Sequence, residues 1–68
     1  MKVGDLVVLA GVPGVVCERE SITDNFDKCA ACYKAGIQEI RYWIKWTDGV
    51  YRWICQSDEY LLEEVISI

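Results

Sequence analysis

Cys29-Ala30-Ala31-Cys32 is the motif with the clearest chemistry in this chain. Two thiols three residues apart share one side of a helix turn and can take two corners of a metal's tetrahedron. Cys17 lies upstream and Cys55 downstream, so Cys17, Cys29, Cys32 and Cys55 form a candidate Zn²⁺ set. A Cys₄ zinc site usually carries two C-x₂₋₄-C pairs, and only one is present. The spacer is Ala-Ala, whereas zinc loops favour Gly or polar residues. The alternative is a helical face on which small thiols pack as hydrophobes. The expected cofactor is therefore none, with zinc as the alternative. Dithiol redox chemistry needs the pair at a helix start in a βαβ setting, which the pattern does not suggest. Cys17 and Cys55 each sit in an apolar run and are expected to be buried thiols.

Other catalytic constellations are missing. There is no His to act as a base near neutral pH, and Ser21, Ser57 and Ser67 lack partner motifs. Glu63 and Glu64 are adjacent, so on a strand they point to opposite faces. Gly11-Val12-Pro13-Gly14 is not followed by Lys-Ser/Thr, so it is no phosphate loop. The expectation is a protein that is not an enzyme.

The elements that must position these residues follow from apolar alternation. Residues 40–55 hold two β-branched and aromatic runs around Asp48-Gly49, a strong hairpin signal. A two-residue loop pairs Trp46 with Tyr51, Lys45 with Arg52, Ile44 with Trp53 and Trp43 with Ile54. That register gathers Tyr42, Ile44, Trp46, Tyr51, Trp53 and Cys55 on a core face. It gathers Arg41, Trp43, Lys45, Thr47, Val50, Arg52 and Ile54 on an outer face. Lys45 opposite Arg52 places like charges across a ladder, an unfavourable pairing.

Upstream, Asp5 to Ala10 reads as a strand, Val12-Pro13-Gly14-Val15 as a type II turn, and Gly14 to Glu20 as a second strand. Phe26, Cys29, Ala30, Tyr33 and Ile37 recur near helical spacing and predict a short helix around 24–34 ended by Gly36, with a structured loop as the alternative. Thr23 or Asp24 would cap its start. Gln56 to Tyr60 suits one 3₁₀-like turn, and Leu61 to Ile66 a last strand.

Sixty-eight residues make one domain, 1–68, that buries only about 60% of its unfolded surface. Three Trp and four Tyr must fill a compact core. The net charge of −4 disfavours nonspecific binding to phosphate backbones. No apolar run approaches the roughly 18 residues of a membrane helix. The N-terminus does not read as a signal peptide, which predicts a cytoplasmic protein with reduced thiols.

Five short strands with one tight turn before the last predict an all-β (mainly β) fold. It is expected to be a five-stranded barrel, with a short helical or irregular insertion between strands 2 and 3. Val3-Gly4-Asp5-Leu6-Val7-Val8 with Gly11-Val12-Pro13-Gly14-Val15-Val16 resembles the start of an SH3-like barrel of the KOW or Tudor kind. Trp46-Thr47-Asp48-Gly49, Trp53, Ser57 and Tyr60 to Val65 resemble its second half. The overall pattern is similar to small SH3-like proteins encoded by tailed bacteriophages, which would place it in the host cytoplasm. The resemblance spans about three quarters of the chain, omitting 21–37, and implies a binding module. The Lys/Arg-rich loops of nucleic-acid-binding KOW domains are not evident.

Two surfaces follow. Tyr42, Trp46, Tyr51 and Tyr60 could form an aromatic cage for an ammonium group, or simply the barrel core. Trp43 and Ile54, rimmed by Arg41, Lys45 and Arg52, have the composition of a protein-binding hot spot on a monomer or homodimer. The same patch could instead stack on nucleic-acid bases, or lie covered by residues 21–37 through Phe26, Tyr33 and Ile37.

Overall fold

The structure, a computed structural model, describes residues 1–67. It holds β1 (Leu6–Leu9), β2 (Val12–Ile22), α1 (Ala30–Ala35), β3 (Glu39–Trp46) and β4 (Tyr51–Cys55). A 3₁₀ turn (Gln56–Leu61) and β5 (Glu64–Ile66) complete it. All strand pairs are antiparallel, and the sheet order is β4-β3-β2-β1-β5. Among the described residues no ladder joins β4 to β5, so the five-stranded sheet is open and does not close into a barrel.

The β1–β2 hairpin turns at Ala10-Gly11, not at Pro13-Gly14. Leu9 pairs with Val12, and both loop residues have positive φ, 51° and 77°. That geometry matches the twist of a two-residue hairpin. Pro13 and Gly14 instead belong to β2. A Cβ on Gly14 would lie 2.6 Å from Trp46 Cε3 and 2.7 Å from Ile44 Cγ2. Gly14 is there because the Trp46 ring lies against its backbone.

One face of the sheet carries the core of Val7, Val16, Ile40, Tyr42, Ile44 and Trp46. Leu9, Val12, Val50, Ile54 and Leu62 pack against it. β2 carries a bulge between Val16 and Glu18. Val16 pairs with Ile44 on the core side, and Glu18 pairs with Trp43 on the other. The extra residue, Cys17, is exposed, against the expectation that it is buried. The bulge also turns Glu18 and Glu20 to the outer face.

The β3–β4 register differs from the expected one by a single residue. Lys45 pairs with Tyr51, Ile44 with Arg52, Trp43 with Trp53, Tyr42 with Ile54 and Arg41 with Cys55. Trp46 N–H donates to Val50 O at 2.9 Å, and Gly49 N–H to Trp46 O at 3.1 Å. Thr47, Asp48 and Gly49 thus form a three-residue loop with Gly49 at φ 91°. One residue of slip moves every β4 side chain to the other face. Tyr51, Trp53 and Cys55 join Trp43 outside, while Arg52 and Ile54 join Tyr42 and Ile44 on the core side.

The insertion also departs from expectation. Asp24 Oδ1 accepts from Phe26 N–H at 2.9 Å, and Asp27 N–H donates to Asp24 O at 3.0 Å. Asp24 therefore closes a local turn instead of capping a helix. α1 starts six residues later and stops at Gly36 in the left-handed conformation, φ 67°. Phe26, Tyr33 and Ile37 are exposed, Phe26 to 98%.

Candidate functional site: a thiol–carboxylate cluster beside an aromatic face

Glu39, Arg41, Trp43 and Lys45 alternate along the outer side of β3. The insertion folds over the first end of that row and leaves the rest open. Cys29 is the N-cap residue of α1 in extended conformation, and Cys32 lies in its first turn. Cys55 ends β4 and precedes the 3₁₀ turn. These three thiols and the Glu39 carboxylate offer ligand atoms that all lie within 4.8 Å of one another. Cys55 Sγ is 3.4 Å from both Cys29 Sγ and Cys32 Sγ. Of the four-thiol set read from sequence, Cys17 lies outside this cluster, and Glu39 stands in it.

Glu39 is fully buried. Its carboxylate accepts from the Cys29 N–H and pairs with the Arg41 guanidinium. Burial raises its pKa, but Arg41 and the Cys29 N–H outweigh burial and hold it below the ordinary carboxylate range. Cys55 Sγ accepts from the Ser57 hydroxyl at 3.1 Å and from the Ser57 N–H at 3.5 Å. Burial pushes that thiol up, and the Ser57 donors bring it below its usual value. Cys32 lacks such donors; burial, then its contacts with Cys55 and Cys29, push it up to about 12.

Arg41 joins the cluster to the open face. Its guanidinium carbon sits 4.2 Å from the Trp53 ring centroid, and Nη2 donates to Asp27 O. Beyond it, Trp43 and Tyr51 stack with centroids 5.4 Å apart and planes 19° apart. Trp43 Nε1 donates to Glu20 at 3.4 Å, and the Tyr51 hydroxyl to Glu18 at 3.5 Å. Tyr51 is 50% exposed and Trp53 37%.

No family model, curated protein or solved structure matches this chain. Geometry alone therefore carries the functional reading.

The surface read from sequence is divided between two faces. Trp43, Arg41 and Lys45 share the outer face. Ile54 and Arg52 line a shallow groove on the other side with Leu9, Val12, Trp46 and Val50. The three cations do not form one basic patch. The aromatic cage does not assemble either: Tyr42 and Trp46 are buried core, Tyr60 is exposed, and Tyr51 lies on the outer face. The insertion leaves Trp43 beside Tyr51 and Glu20 and buries none of Phe26, Tyr33 or Ile37 over it.

Trp53 and Glu39 are absent from the site residues read from sequence, and Tyr51 enters there only as a cage or core ring. The two-residue-loop register puts Tyr51 and Trp53 on the core face. Glu39 carries one usable signal: it lies two residues before Arg41, so a strand puts the two charges on one face.

Proposed function

We propose that this chain is a noncatalytic protein-binding module built on a half-open SH3-like barrel. The strand order and the 3₁₀ turn before the last strand support the SH3-like reading. The observation that carries the binding reading is the row of Trp43, Tyr51 and Trp53 on an open sheet face. Large rigid rings lose little side-chain entropy on binding and dominate interface energetics.

The rim favours a partner segment with both apolar and basic residues. Glu18 and Glu20 border the rings, and the whole chain carries −4. Arg41 is paired with Glu39, which among the described residues leaves Lys45 as the free cation beside the rings. A phosphate backbone would meet two carboxylates there, so a nucleic acid is the weaker reading.

The test is affinity capture with wild type and Trp53→Ala, each with and without nuclease. The reading expects a nuclease-resistant protein whose affinity falls about 30-fold in the variant, about 2 kcal/mol. Recovery of nucleic acid with steep salt dependence would replace it with the KOW-like reading.

A further inference from the structure

We infer that Cys29, Cys32, Cys55 and Glu39 form a Zn²⁺ site that fastens the insertion to the outer face of the sheet. This goes beyond the binding reading and does not depend on it.

The insertion has almost no apolar anchorage of its own. Across residues 23–38 the only buried residue is Cys32. Besides the thiols, the segment is tied down by polar contacts: Cys29 N–H to Glu39, Arg41 to Asp27 O, and Gln56 Nε2 to Gln38 O at 2.7 Å. A six-residue helix with its large side chains in water is marginal by itself. Small structures in this position commonly rely on a disulfide or a metal.

The donor set fits zinc. Sulfurs held about 2.3 Å from a tetrahedral ion lie about 3.8 Å apart. The two Sγ–Sγ distances of 3.4 Å are within a few tenths of an ångström of that edge. Three elements of different sequence position supply the ligands, so binding would close loops of the chain. Cys55 already accepts two hydrogen bonds from Ser57, the arrangement that stabilises sulfur as a thiolate. One Glu39 oxygen can ligate while the other keeps Arg41, whose charge offsets part of the excess of anionic ligands over Zn²⁺. On binding, each thiol gives its proton to solvent and no electron is transferred. Three thiols and a hard oxygen make a borderline site that suits Zn²⁺ rather than Mg²⁺ or Ca²⁺.

The probe is the metal itself. Full-length reduced protein is stripped of metal, then titrated with Co²⁺ and with Zn²⁺. The inference expects one equivalent bound, with a thiolate-to-cobalt charge-transfer band and intense tetrahedral d–d bands that Zn²⁺ abolishes. Cys17→Ser should give the same spectrum and affinity. Cys32→Ser and Glu39→Gln should each weaken Co²⁺ binding by about 100-fold or more, the upper end of what losing an outer-shell partner costs. Absence of a tetrahedral cobalt spectrum in folded, reduced wild type would overturn the site. Glu39→Gln with unchanged Co²⁺ affinity would overturn Glu39 as the fourth ligand.

Discussion

Adding one methyl group at Gly14 probes the tightest contact in the core. Gly14 has no positive φ, so alanine meets no backbone strain there. The new Cβ would sit 2.6 Å from Trp46 Cε3, 2.7 Å from Ile44 Cγ2 and 3.1 Å from Trp46 Cδ2. Carbon atoms prefer about 3.5–4.0 Å, so two contacts are about 1 Å too close. Ile44 is fully buried and Trp46 nearly so, which leaves neither side chain room to withdraw. Overpacking of this kind costs about 1–3 kcal/mol. Replacing a strand glycine returns about 0.5–1 kcal/mol by restricting the unfolded chain. The net loss is centred on about 1 kcal/mol, which in a domain of this size lowers Tm by roughly 4–8 °C. Thermal unfolding followed by circular dichroism measures it. Gly14→Ala combined with Trp46→Phe should cost less than the two changes separately, because the nearest clashing atom, Trp46 Cε3, is gone while the Ile44 contact stays. A Gly14→Ala protein as stable as wild type would refute the seating of Trp46 on β2.

Ile54→Ala should destabilise the fold by about 2 kcal/mol in denaturant unfolding, since Ile54 packs against the core from the side opposite Trp43. Its folded fraction should bind partners normally. Arg41→Met should cost about 3 kcal/mol by the same measurement, because Glu39 would be left buried without its counter-charge. Stability equal to wild type would show that the pair does not form.

Strand content was legible in this sequence where alternation was clean. The 40–55 hairpin and the presence of five strands follow from it, and the 3₁₀ turn after Cys55 from the residues 56–60 themselves. The hairpin register was not, because both faces of β4 are apolar enough to be core. Val50 and Ile54 compete with Tyr51 and Trp53, and an Asp-Gly pair serves loops of two or three residues equally well. The cation pair Lys45–Arg52 was the available hint, since the two-residue loop sets them opposite each other and the three-residue loop separates them. Gly14 after Pro13 has the composition of a turn, but its role is set by Trp46, which is 32 positions away and invisible to local rules. The thiol site was half legible. The C-x-x-C and Cys55 were in view, but the bulge that expels Cys17 and the fold-over that brings in Glu39 depend on tertiary packing.

Position-specific photocrosslinking tests the binding face most directly. Tyr51 and Arg52 are adjacent but point to opposite sides of the sheet, so a benzoylphenylalanine at either position samples one face only. The account predicts a discrete covalent protein adduct from position 51, suppressed by Trp53→Ala, and none from position 52. Adducts from position 52 alone, or equal adducts from both, would contradict the assignment of function to the Trp43–Tyr51–Trp53 face.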